Sequence, residues 1–201
     1  MRVPMASSEI MSSVGPERIE GYPPSPHTLA NRIARVAWGI VWTILFRPSP
    51  KFMHGWRRFL LRLFGARIDP SAIVHSSAKI WAPWNLEMEH GSCLSGHVDC
   101  YSVDRIRIGR FAVVSQYSFL CAASHDIRYL HLPLTTAAIT IEERAWVAAD
   151  VFVGPGVTVG QGSVIGARST LTKNAPPWSV MAGNPAKLIR KRTLVSDQIE
   201  P

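Results

Sequence analysis

Along most of this chain the aliphatic residues recur every six positions. Ile68, Val74, Ile80 and Leu86 form one series, and Ile108, Val114 and Leu120 a second. Ile141, Val147, Val153, Val159, Ile165 and Leu171 form the longest. A helix has no use for this period: six residues advance about 600° around it, so the apolar groups would spiral over its surface. A strand-and-turn unit can use it, because strand side chains alternate with period two. A second signal is locked to the first. Small or β-branched residues follow four positions after most of these aliphatics: Ala72, Ala78, Ala112, Ser118, Ser124, Ala145, Val151, Val157, Ser163 and Ser169. Gly109, Gly154, Gly160 and Gly166 directly follow the aliphatic, where a tight turn wants them. Together these signals predict an all-β chain wound as a parallel β-helix, its stacked rungs aligning the aliphatics into an internal column.

The series breaks twice. Leu86 to Ile108 is 22 residues and Leu120 to Ile141 is 21, neither a multiple of six. Extra residues are therefore expected to leave the coil as loops near 87–107 and 121–140, and loops on a rigid scaffold are where function concentrates. Upstream the period is helical. Ile33, Val36, Ala37, Ile40, Val41, Ile44 and Leu45 predict a helix over 31–46, with Trp38 and Trp42 on a neighbouring face and Pro48 and Pro50 as its end. A second helix is predicted from residue 52, with Phe52, Trp56, Phe59, Leu60 and Leu63 on one side, Arg58 and Arg62 on the other, and Gly65 as its stop. The expected organisation is a disordered Ser/Pro/Gly-rich tail over 1–30, a helical segment over 31–66, the β-helix over 67–185, and a short C-terminal α-helix with a tail over 186–201.

The chain has 201 residues, 47% of them hydrophobic, which suits one domain with a real core. Its 22 basic and 14 acidic residues give a formal charge of +8, unevenly placed. From Gly21 to Ile68 there is no Asp or Glu, while Arg32, Arg35, Arg47, Lys51, Arg57, Arg58, Arg62 and Arg67 all fall there. The preferred reading is that these helices cap the open end of the β-helix; the alternative is docking on an anionic membrane surface. No RNA-binding, helix-turn-helix or zinc pattern accompanies the charge, which argues against nucleic acid. Cys93, Cys100 and Cys121 are odd in number and lack a CxxC spacing, so they read as small buried hydrophobes. The apolar run Val36–Phe46 is too short to span a bilayer and no A-x-A site follows it, so neither a span nor a cleaved signal is expected.

Several stretches carry a family resemblance. They are Trp146-Val147-Ala148, the run Val153 to Gly160, Ile165-Gly166-Ala167, Thr172-Lys173, Pro176-Pro177-Trp178 and Ala182-Gly183-Asn184-Pro185-Ala186. They resemble the hexapeptide-repeat acyltransferases, the group containing galactoside, maltose and nodulation-factor O-acetyltransferases. The run His54 to Ala66 narrows the resemblance to the colanic acid biosynthesis acetyltransferase branch, which serves exopolysaccharide assembly. The likeness covers residues 31 to 192. It implies a left-handed β-helix, a homotrimer with each active site between two subunits, and a cytoplasmic location, at the inner face of the membrane if the helices dock there. It further implies an acetyl-CoA-dependent O-acetyltransferase acting on a sugar or polysaccharide precursor, with acetyl-CoA as co-substrate and no metal.

His125, in Ser124-His125-Asp126 where the repeat breaks, is the candidate base by the family match; by position alone a loop histidine with no role is the alternative. A sugar hydroxyl is a poor nucleophile at neutral pH, and imidazole titrates near there. Asp126 is a weaker catalytic candidate, while His97 and Asp99 lie in the first interruption, where the family places acceptor contacts. For either aspartate, a solvated turn residue is the alternative. The resemblance puts Ala148 and Ala167 beside the pantetheine arm, the N–H of Ala149 on the thioester oxyanion, and Lys173 and Arg190 on the CoA phosphates; Trp146 is expected at the coil edge beside the cofactor, with a rung-packing aromatic as the equal alternative. Ala148 stands where the family usually has glycine. Two other functions remain on the table: a non-catalytic β-helix scaffold at a membrane, and a γ-carbonic-anhydrase-like zinc enzyme using His97, His125 and His131. For the latter the ligand spacing does not match.

Overall fold

The computed structural model describes residues 28–195. The predicted tail lies outside these residues except at Thr28, whose hydroxyl caps the first helix, and at Leu29 and Ala30, which belong to that helix. Residues 196–201 also lie outside.

From Arg67 the chain visits three parallel sheets in cyclic order, one strand per side of each coil. Face A stacks Arg67–Ile68, Leu86–Met88, Ile106–Ile108, Ile139–Ile141 and Thr158–Val159. Face B stacks Ile73–Val74, Cys93–Leu94, Val113–Val114, Trp146–Val147, Val164–Ile165 and Ser179–Gly183. Face C stacks Lys79–Ile80, Asp99–Tyr101, Phe119–Cys121, Phe152–Val153 and Thr170–Leu171. This is the left-handed parallel β-helix expected. Every ladder aliphatic named above is buried, as are the small residues locked to them, apart from Ser124. A two-residue strand buries very little by itself, so stacking supplies the core. Buried Cys100 fills a ladder position, and burial pushes its thiol up to about 12.

Two expectations need correction. No loop leaves the coil at 87–107: Leu86–Met88, Cys93–Leu94, Asp99–Tyr101 and Ile106–Ile108 are all regular strands. The ladder instead shifts phase by two residues twice, because two three-residue strands on face A bury both their ends, Leu86 with Met88 and Ile106 with Ile108. The predicted C-terminal helix is absent too among the described residues. Ala186–Lys191 is a strand, antiparallel to Ser179–Gly183 on face B. The unpaired edge of the last coil offers it a ladder, and that pairing overrides local preference.

The helices cover the other end. In the second coil the carbonyls of Met88, Ser92, Leu94, Val98 and Cys100 accept from N–H groups of the first. The first coil has no predecessor, so its equivalent carbonyls, on Ile68, Ala72, Val74, Ala78 and Ile80, face the open end. The cap supplies one donor side chain for each. Arg62 bonds Ile68, Arg58 bonds Ala72 (2.9 Å), Arg57 bonds Val74 (2.7 Å), Trp42 bonds Ala78 (2.9 Å) and Trp38 bonds Ile80 (2.7 Å). Arginine and tryptophan suit this task because their polar side-chain groups donate and never accept.

This demand rotates both helices away from the orientation their aliphatics suggested. In α1 (Leu29–Val41), continued by a wider π-turn over Trp42–Phe46, the buried residues are Trp38 and Phe46. Ile33, Val36, Ile40 and Ile44 point outward. In α2 (His54–Leu63) Arg57, Leu60 and Leu61 are buried, while Phe59 and Leu63 are exposed. Arg57 is completely buried with no carboxylate partner among the described residues, yet it is fully occupied. Its donors reach Val74 O, Ser49 Oγ, Pro50 O, Lys51 O and His54 Nδ1. The apolar helical stretch also runs longer than Val36–Phe46. It covers Leu29–Phe46, 18 residues of mean hydropathy 1.2, long and apolar enough to cross a membrane by length and composition.

Candidate active site

Among the described residues one segment leaves the coil, between the face C strand Phe119–Cys121 and the face A strand Ile139–Ile141. It folds back as a hairpin, Ala123–His125 against Leu134–Thr136, with His125 opposite Leu134. His125 is exposed at the end of the first strand. Its Nδ1 lies 2.6 Å from the carbonyl of Leu132, a backbone oxygen that can only accept. Nδ1 therefore carries the proton, and in the neutral ring Nε2 is left as a bare acceptor. This fixed tautomer is what a general base requires.

Asp126 does not orient this ring. Its carboxylate pairs with Arg128 at 2.6 Å and accepts the Arg128 N–H at 3.0 Å, and the guanidinium holds it below the usual carboxylate range. The pair braces the start of the loop. The group that orients His125 is the Leu132 carbonyl, which no side-chain pattern could have revealed.

A second feature runs along the corner between faces B and C. His97, Tyr117, Asp150 and Arg168 stack there, each with positive φ (60°, 64°, 59° and 58°). Each lies three residues after a ladder aliphatic, Leu94, Val114, Val147 and Ile165, and this spacing is the signal that sequence reading passed over. The column is stitched by Asp150 N–H to Gln116 O (3.0 Å) and Arg168 N–H to Ala149 O (3.0 Å). His97 stacks on Tyr117 with centroids 5.1 Å apart, and Arg168 pairs with Asp150 at 3.4 Å.

Tyr117, Ala149, Asp150, Ala167 and Arg168 line a shallow cleft of about 380 Å³ at this corner. Alanines keep its floor low. Among the described residues the Ala149 N–H meets no acceptor, so it is free to donate outward. Ala148 is only 7% exposed, and its extra methyl is taken up in packing rather than standing in the cleft. Trp146 lies on face B, 46% exposed, with its indole N–H on Ser115 Oγ at 2.9 Å.

The remaining candidates are placed apart from the cleft. Asp99 is on face C in an ion pair with Lys79 (3.3 Å). Lys173 is exposed just beyond the strand Thr170–Leu171, and Arg190 is exposed on the terminal strand. Within one chain the hairpin rises between faces C and A while the cleft lies between B and C, so no contact joins His125 to Ala149. Among the described residues no three His, Cys, Asp or Glu side chains group as a metal site would.

Known proteins give this geometry a context. The family described as bacterial transferase hexapeptide (six repeats) matches residues 138–173. A protein of Escherichia coli (strain K12), whose name assigns it provisionally to colanic acid biosynthesis as acetyltransferase WcaF, is 43% identical over 162 residues, covering 81% of this chain and 89% of its own. Among solved structures, a maltose O-acetyltransferase from Clostridium difficile 630 superimposes with TM-score 0.75 at 22% identity, covering 85% of this chain and 92% of that one. The hexapeptide-repeat acetyltransferase VCA0836 from Vibrio cholerae O1 biovar eltor, complexed with acetyl-CoA, gives TM-score 0.74 at 22% identity, covering 83% and 91%.

Proposed function

The chain belongs to the hexapeptide-repeat acetyltransferases, and from that premise we propose that it transfers acetyl from acetyl-CoA to a hydroxyl of a sugar or polysaccharide precursor, with His125 as general base. The observation that carries this is the 2.6 Å bond from Nδ1 to the Leu132 carbonyl, which leaves Nε2 bare on a loop outside the rigid coil.

The step balances without a covalent enzyme intermediate. Nε2 accepts the acceptor's hydroxyl proton as the oxygen attacks the thioester carbonyl carbon. The carbonyl oxygen becomes an oxyanion, for which the free Ala149 N–H is the donor. The C–S bond then breaks, the imidazolium returns its proton to the sulfur, and CoA leaves as a thiol. The low cleft beside Ala149 and Ala167 suits a narrow pantetheine arm, with Trp146 on the adjoining face B. Lys173 and Arg190 are the cations proposed for the CoA phosphates, and His97 and Asp99 the groups proposed for the acceptor.

Because hairpin and cleft lie on different edges of one chain, the active unit in this reading joins His125 of one subunit to the cleft of another in a homotrimer. Ile127 and Leu130, exposed on the hairpin loop, suit such a junction. The relative named for colanic acid biosynthesis supports an acceptor from polysaccharide assembly.

The test is CoA-thiol release from acetyl-CoA against a panel of free, nucleotide-linked and lipid-linked sugars. His125→Ala lowers kcat on the best acceptor by about 10²–10⁴-fold while thermal midpoint and CoA binding stay unchanged. Wild-type turnover by that variant removes His125 from the chemistry, and no thiol release with any acceptor removes the reaction.

A further inference from the structure

The cap carries a surface used neither by folding nor by the proposed chemistry. Leu29, Ile33, Val36, Ile40 and Ile44 stand on the side of α1 away from Trp38, and are 73%, 62%, 65%, 56% and 64% exposed. The strip continues through Leu45, whose carbonyl accepts the Trp56 indole N–H at 3.0 Å, to the stacked rings of Trp56 and Phe59. Soluble surfaces seldom leave so many large aliphatics in one row.

The cations around it divide into two groups. Arg57, Arg58 and Arg62 are consumed by coil carbonyls. Arg32, Arg35, Arg47 and Lys51 are not. Arg35 lies over the Trp81 ring at 4.4 Å and Arg47 over Trp42 at 5.4 Å. Among the described residues none of these four forms an ion pair, and the sequence offers no carboxylate from Gly21 to Ile68. Beside the strip, a groove of about 520 Å³ between α1 and the coil is walled by Trp38, Trp42 and Trp81, with Arg32 and Arg35 among its lining residues.

We propose that this face docks on an anionic lipid bilayer. An amphipathic helix in the interface plane buries its aliphatics at the acyl boundary and sets its cations on headgroup phosphates. Indoles belong at that same depth. Charge complementarity selects this occupant, since two copies meeting face to face would set Arg32, Arg35, Arg47 and Lys51 against their like. The helix lies along the surface and does not cross it, because Trp38 and Trp42 bond Ile80 and Ala78 and hold it lengthwise on the coil. The inference is independent of acetyl transfer.

The experiment is co-sedimentation of the full chain with phosphatidylcholine vesicles, with and without phosphatidylglycerol, at low and high salt. The wild type pellets with anionic vesicles at low salt and is released as salt rises. Ile33→Glu/Ile40→Glu lowers vesicle affinity about a hundredfold with an unchanged thermal midpoint. Arg32→Gln/Arg47→Gln lowers binding to anionic vesicles about tenfold and flattens the salt dependence. Failure of the wild type to bind anionic vesicles overturns the proposal, as does equal binding by the glutamate variant. A drop in oligomer mass by light scattering in that variant also overturns it, because the strip would then join copies of this chain.

Discussion

Ile141 and Ile40 are the same side chain with opposite fates. In the coil, Ile141 is fully buried in a column of its own kind and its strand shares ladders with the coils above and below. In the cap, Ile40 is 56% exposed, while the space against the coil is taken by an indole and a guanidinium. The coil meets its backbone needs with backbone. The cap meets the coil's leftover needs with donor side chains, so polarity rather than hydrophobicity decides which way its helices face. Each buried carbonyl left unpaired would cost about 1–3 kcal/mol, and five of them line this end of the coil.

That contrast can be tested side chain by side chain. The largest effect is expected in the column: Ile141→Ala should lower unfolding free energy by about 2–5 kcal/mol in urea titrations. A loss below 1 kcal/mol would mean the column is not the core. Next comes the cap's donor: Arg57→Leu should cost about 3 kcal/mol, because it strips several acceptors of one shared partner. Neutral behaviour there would show that packing alone holds the cap.

A smaller effect is expected from pH. His54 and His75 face each other near Arg57, with centroids 6.0 Å apart, and burial above all lowers both pKa values, aided by neighbouring cations. Both rings are neutral above their unfolded value of 6.5, where their contribution is fully present. As pH falls below it the unfolded chain binds more protons, and stability declines through the lowered folded values. Thermal midpoints should therefore drop from pH 7 to pH 5, and less steeply in His54→Gln/His75→Gln; equal slopes would clear these rings. The smallest effect is expected at the strip, where Ile40→Ala should change stability by no more than about 0.5 kcal/mol. A loss comparable to that of Ile141→Ala would erase the distinction between the two regions.

The same contrast explains what could be read without coordinates. The coil was legible because Val147, Val153 and Val159 each repeat one local decision, and repetition averages out ambiguity. The stretch from Leu86 to Ile108 misled because two-residue phase shifts look, in sequence, like an interruption. The helices were legible as helices, but their facing was not: Ile33 and Ile40 advertise a core that Trp38 occupies instead. Ala186–Lys191 misled because its partner is an open edge, which is a property of the assembled coil. At the site, position alone would leave His125 an ordinary loop histidine, and only the family resemblance singled it out. The Leu132 carbonyl that sets its tautomer, and the corner column through Tyr117 and Arg168, depend on backbone geometry that side-chain identity does not encode.

The five-carbonyl joint between cap and coil has a further consequence. Successive coils offer the same pattern of acceptors, so the hydrogen-bonding half of the joint recurs at every rung, while side-chain contacts such as His54 with His75 and Arg35 with Trp81 belong to the first coil. Repeating that first coil beneath the cap would lengthen the solenoid by about 4.8 Å and keep the joint. Reach, the distance from cap to cleft, is then an adjustable dimension of this architecture, changed in whole steps by duplicating or deleting a coil's worth of residues.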